Sequence, residues 1–154
     1  MKLDETRRRI EERRDRVLRE LHPELRRRVI AVLADLGDRL VPWEGYRDAL
    51  GQQKARAAGF SDADFGESPH NYQPALACDL VLNPDRVAVA PHKQDPDYPN
   101  LWDSESPEAV QAWADLEEAC VRYGLDRVDV KGKRDKPHVQ LFRWRAYISA
   151  KAAR

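Results

Sequence analysis

Within "ALACDLVL", residues 75–82, a carboxylate interrupts an otherwise apolar run. The run is short and bounded by Pro74 and by Asn83-Pro84, which predicts a buried strand rather than a helix. Side chains alternate along a strand, so one face carries Ala75, Ala77, Asp79 and Val81 and the other Leu76, Cys78, Leu80 and Leu82. The leucine face belongs to a core. An ionised carboxylate is expensive to remove from water without a partner, so something beside the small-residue face must compensate Asp79. Upstream, in the Pro/Asn/Tyr-rich loop "ESPHNYQP", stands His70. The chain therefore needs a sheet with one face on a core and polar side chains gathered on the other.

Around that strand, helical and extended segments follow one another irregularly. "LDETRRRIEERRDRVLREL" predicts a helix with only a thin apolar stripe of Leu3, Ile10, Val17, Leu18 and Leu21, a peripheral element within residues 1–22. "HPELRRRVIAVLADLG" predicts a second helix, with Pro23 in its first turn, Gly37 just past its end, and Val29, Ile30, Leu33 and Leu36 inward. A short strand in "DRLVPW" ends at Pro42, and a third helix spans Asp48 to Ala58. "SPEAVQAWADLEEACVRYG" is a fourth helix between an N-capping Ser106 and Gly124. "DRVDV" and "PHVQLF" predict two more strands joined by the basic turn "KGKRDK", and a helical tail starts near Trp144. The acidic, Pro-rich segment 83–105 has no helical period; "RVAVA" within it is a candidate edge strand. Without a regular βαβ alternation the fold class is α+β, a small, mainly antiparallel sheet with flanking helices.

The 154 residues fit one domain, with four Trp, five Tyr and three Phe to fill a core. No apolar run is long enough to span a membrane, and the N-terminus lacks the apolar core of a secretory signal, so synthesis in the cytoplasm without membrane insertion is expected. Cys78 and Cys120 form no CxxC pair and are expected to be free and buried. Arg and Lys concentrate in residues 1–28 and 119–154, but no RNA-binding signature or phosphate loop accompanies them. They are expected on solvated helix faces, with no nucleic-acid partner.

Strand alternation also puts His138 and Gln140 of "PHVQLF" on one face and Val139 and Leu141 on the other. Two strands thus each offer a ligand-type residue on a face that is not the core. A zinc ion would compensate Asp79: catalytic zinc sites take three protein ligands from His and Asp/Glu and leave a position for water. His70, Asp79 and His138 make such a set, and Asp135, just before His138, is placed to act as general base. The alternative on the residues alone is a capping His70, a salt-bridged Asp79 and a surface His138. His22 reads as structural at a helix start, His92 as a surface residue, and Cys78 as core.

"EGYRDALGQ" at 44–52, "SPHNYQPALACD" at 68–79 and "DKPHVQ" at 135–140 together resemble the zinc-dependent peptidoglycan peptidases. That class includes D-alanyl-D-alanine carboxypeptidases, D-Ala-D-Ala dipeptidases and phage-type L-alanyl-D-glutamate endopeptidases. Its pattern runs approximately EGYR…Q…SxHxxGxAxD…(D/E)xPHxQ, and the resemblance covers residues 24–142, the peptidase core. It implies a Hedgehog/DD-peptidase-like fold, with His70, Asp79 and His138 as zinc ligands and Asp135 as catalytic acid/base. It further implies substrate-binding roles for Arg47, Gln52 and Ser68, the arginine holding a substrate carboxylate or polarising its carbonyl. The sequence departs from the pattern between His70 and Asp79, where the spacing is longer and "YQP" stands in place of a Gly.

The resemblance implies a monomeric, single-domain zinc peptidase (Zn2+ as cofactor) that hydrolyses a stem-peptide amide of peptidoglycan. The foremost expectation is an L-alanyl-D-glutamate endopeptidase of the endolysin type, acting on the cell wall after release from a phage- or prophage-bearing cell. Two rivals stand beside it: a D,D-carboxypeptidase or dipeptidase of the same fold, and a non-enzymatic binding module stabilised by zinc.

Overall fold

The carboxylate-bearing strand forms over Ala77–Leu82 (β2) and lies inside a four-stranded sheet. On one side it pairs antiparallel with Leu40–Glu44 (β1), and on the other with His138–Leu141 (β6). Leu125–Asp126 (β3) closes the far edge against β6, giving the order β1-β2-β6-β3. This is the α+β architecture expected. The computed structural model of the chain describes residues 1–148.

Among the described residues four α-helices accompany the sheet: Leu3–Glu20 (α1), Pro23–Asp35 (α2), Ala49–Ala57 (α3) and Pro107–Tyr123 (α4). Their ends follow from local chemistry. His22 caps α2, its Nδ1 accepting from the Glu24 N–H, with Pro23 next in line. Asp48 caps α3 and Ser106 caps α4. No helix among the described residues is long and apolar enough to cross a membrane.

The leucine face of β2, with Val139 and Leu141 of β6, packs on Leu25, Val29, Val32 and Leu33 of α2 and on Ala112, Trp113 and Leu116 of α4. The opposite face buries Val41 and Val81 against Ile10 of α1 and Leu101 of the 83–105 segment, with Trp43 and Trp102 at the margin. Both cysteines are free and buried. The Pro-rich segment is thus a cover for the sheet, tied to α1 by Arg7 with Asp85, by the Tyr98 hydroxyl with Glu5, and by the Lys2 N–H on the Asp97 carbonyl.

Several elements differ from expectation. Ile30 is 48% exposed; Val32 takes the inward place, because the stripe runs through Leu25, Val29, Val32 and Leu36. β1 continues past Pro42 to Glu44, which an edge strand permits since no partner needs the missing N–H. "RVAVA" is not a strand: its polar groups turn to local partners, Ala90 N–H to Ser104 Oγ and Val87 N–H to the Asn83 carbonyl. "DRVDV" splits, its second half Asp129–Val130 (β4) pairing with Lys133–Arg134 (β5). Lys131 and Gly132 between them have φ of 53° and 76°, the two positive values of a type I′ hairpin turn. The tail begins as a short 3-10 helix, Trp144–Tyr147; its continuation lies outside the described residues.

Gly124 ends α4 in the left-handed region, φ 68° and ψ 33°, and its carbonyl accepts from Arg28 Nη1 at 2.8 Å. A Cβ there would strain the backbone and collide with that guanidinium. Gly124→Ala is expected to cost about 1–2 kcal/mol and lower the melting temperature by several degrees, read by circular dichroism.

Candidate metal centre

His70 sits in a short 3-10 helix, Pro69–Asn71, whose entrance is fixed by a reciprocal cap. Ser68 Oγ accepts from the His70 N–H at 3.3 Å, and Asn71 Oδ1 accepts from the Ser68 N–H at 3.2 Å. His138 opens β6 directly opposite Asp79, so the ladder between β2 and β6 sets that pair. Gln140 follows on the same face, opposite Ala77, whose small side chain leaves it room.

The second nitrogen of each imidazole is engaged. His70 Nδ1 lies 2.7 Å from the Gly45 carbonyl, and His138 Nε2 lies 2.8 Å from Gln140 Oε1. Both partners are acceptors, so both nitrogens carry the proton, and the lone pairs of His70 Nε2 and His138 Nδ1 are left facing each other at 3.2 Å. Asp79 Oδ1 completes a triangle, 3.2 Å from the first and 3.5 Å from the second. Three electron-rich atoms at this separation repel unless a positive charge lies among them. The three separations match the edge of a tetrahedron with bonds of about 2.0–2.1 Å, which is about 3.3–3.4 Å. This His70–Asp79–His138 group could hold a metal ion.

Without a metal, a proton on His70 takes that role. Burial alone would depress its pKa, but the Asp79 carboxylate outweighs burial and raises it. Burial likewise works against ionisation of Asp79, yet the two imidazoles hold its carboxyl well below the usual range.

The other expected site residues surround the triangle. Arg47, 13% exposed, has all its nitrogens directed at protein groups: Nε and Nη2 lie 2.5 Å from Glu44 Oε1, Nη1 donates to Gln52 Oε1 at 3.1 Å, and Nη2 stands 3.7 Å from Asp79 Oδ2. Gln52 is fully buried. Its amide donates to Ser61 Oγ and the Ala63 carbonyl and accepts from Arg47 and Asn71, so it joins α3 to the following loop and leaves no polar group for a ligand. Ser68 is buried and serves as the cap described above. Asp135 is half-buried just before His138, its N–H on the Val128 carbonyl and its own carbonyl accepting from the His138 N–H. Burial raises its carboxyl pKa, and the negative charge of Asp79 adds to the rise. His92 is outside the group, its Nδ1 accepting from the Gln94 N–H.

Sequence reasoning missed the residues that hold His70 and His138 in place. Asn71 donates to the Arg47 carbonyl and to Gln52 while accepting from two backbone N–H groups, which binds the His70 turn to the start of α3. Gln140 was visible on the His138 face but not as its partner. The Gly45 carbonyl carries no side-chain signal at all. Within the longer His70–Asp79 connection Gln73 and Pro74 are exposed, and the chain turns back inward at Ala75, which exchanges backbone hydrogen bonds with Glu20 and His22.

Among solved structures, the chain is similar to the L-Ala D-Glu endopeptidase ChiX of Serratia marcescens, with a TM-score of 0.59 and 25% identity over 89% of this chain and 91% of that one. The two share the α+β fold with its small antiparallel sheet. No family model matches the chain, and no curated protein matches it.

The raised His70 pKa has a measurable sign. Its contribution to stability is fully present below the unfolded value of 6.5 and is lost as pH rises through the higher native value. Chelator-treated protein is therefore expected to stay folded but melt progressively lower as pH rises above 6.5. With a divalent metal the slope should reverse, because ion and proton compete for one lone pair. A chelated protein whose melting temperature climbs over that range would contradict the assignment of the proton to His70.

Proposed function

We propose that this chain is a zinc-dependent peptidase that hydrolyses an amide of the peptidoglycan stem peptide, with the L-alanyl-D-glutamate bond as its foremost target. The observation that carries this reading is the triangle of His70 Nε2, Asp79 Oδ1 and His138 Nδ1, with its near-tetrahedral edges and tautomers set by outer partners. It occurs in a chain that shares the fold of an L-Ala D-Glu endopeptidase. Zinc held there would supply Lewis acidity to the scissile carbonyl and acidify an attacking water.

Asp135 is the acid/base. A carboxylate whose pKa is raised by burial and by Asp79 can accept a proton from water and later release it. As the water oxygen bonds to the carbonyl carbon, Asp135 takes its proton. As the C–N bond breaks, Asp135 hands that proton to the leaving amine. Arg47 places positive potential beside Asp79, the charge that would attract the carboxylates of an acidic stem peptide. The same reading makes the protein a monomeric, endolysin-like enzyme of cell-wall lysis.

One zinc per chain is expected by metal analysis, and His138→Ala should abolish it. Asp135→Asn should keep the zinc and lose about a hundredfold or more of the activity on peptidoglycan. Mass spectrometry of digested muropeptides should show cleavage between L-Ala and D-Glu. Release of free D-Ala would instead identify a carboxypeptidase, release of products from D-Ala-D-Ala a dipeptidase, and zinc binding without any cleavage a binding module.

A further inference from the structure

Glu44 is a charged side chain beside the candidate metal centre to which the proposed reaction gives no role. It is placed deliberately by the fold. The β1–β2 register shifts between Pro42 and Glu44, and the shift sets Glu44 opposite Asp79. Two carboxylates in facing positions repel, and cross-strand like charges destabilise a sheet. Arg47 lies between them, but not evenly. Its Nη2 is 2.5 Å from Glu44 Oε1 and 3.7 Å from Asp79 Oδ2, the second distance too long for a hydrogen bond. Its Nε also goes to Glu44 Oε1, at 2.5 Å. Glu44 therefore wins the guanidinium, and Asp79 keeps Oδ1 turned to the two imidazoles.

We propose that Glu44 is a positioning residue that holds Arg47 off Asp79 and so preserves Asp79 as a metal ligand. The proposal rests on the zinc reading above. Without the Glu44 charge, Arg47 has less than a further ångström or so to travel before it forms a charge-assisted pair with Asp79 Oδ2. The carboxylate would then be shared between a guanidinium and the metal, and both its basicity and its orientation would suffer. The role is indirect, since it passes through Arg47, and this separates it from a simple loss of negative charge near a cation.

The test is zinc affinity of the full chain, measured by competition with a chromophoric chelator, with circular dichroism to check folding. Glu44→Gln is isosteric at a side chain that is one-third exposed, and it is expected to weaken zinc binding about tenfold or more. In an Arg47→Gln background the same substitution should have no further effect. If Arg47→Gln does not fold, Glu44→Asp, which keeps a charge facing Arg47, is expected to bind zinc more tightly than Glu44→Gln. Unchanged affinity in Glu44→Gln overturns the proposal while leaving the zinc site standing. So does an equal loss in the Arg47→Gln background, or Glu44→Asp no better than Glu44→Gln. Wild-type protein that binds no zinc overturns the zinc reading itself, and the role of Glu44 with it.

Discussion

The meeting of a carboxylate, Asp79, with the imidazoles of His70 and His138 is the constraint around which the rest of this structure is arranged. The carboxylate sits in a strand whose other residues are all apolar, and the strand is central to the sheet. Moving Asp79 out to solvent would require turning β2 over, and a one-residue slip would bring the leucine face out with it. The chain instead brings two imidazoles to the carboxylate, one along the β6 ladder and one on a capped turn. Each imidazole is oriented by a second contact, to Gln140 or to Gly45. These contacts are redundant for a folded core but necessary for three lone pairs to converge.

The layer around these three residues is a frame. Asn71, Gln52 and Arg47 form one connected network that fastens the His70 turn to α3. A buried network of this kind is stable only when every member is satisfied, and among these side chains each polar group has a partner. What this network holds rigid is the His70 turn, and a side chain so held is what a metal site would require for selectivity and affinity.

Much of this was legible in the sequence where a local signal existed. The caps and stops of α2, α3 and α4 follow from Pro23, Asp48, Ser106 and Gly124, and the face assignment in "ALACDLVL" follows from alternation alone. The convergence of His70 with Asp79 and His138 followed from residue type, strand face and motif order. What escaped depended on distant partners. "RVAVA" alternates like a strand, but no neighbouring strand is available to it once the chain is folded over α1. Ile30 is as apolar as Val32, and only the direction of the α2 contact separates them. Gln52 reads as a polar residue near a site; its burial arises from Ser61 and Ala63 closing over it, which spacing cannot show.

The two-stranded ribbon of β4 and β5 pairs only with itself, and Asp135 is the residue that follows it. Asp79 and His138 are therefore set in the sheet, while Asp135, the proposed acid/base, is mounted on an arm with its own small ladder and a tight tip. Such a division lets evolution treat the two parts separately. The arm can lengthen, shorten or change charge at its tip, around Lys131 and Gly132, without altering the strand pairing that sets Asp79 opposite His138.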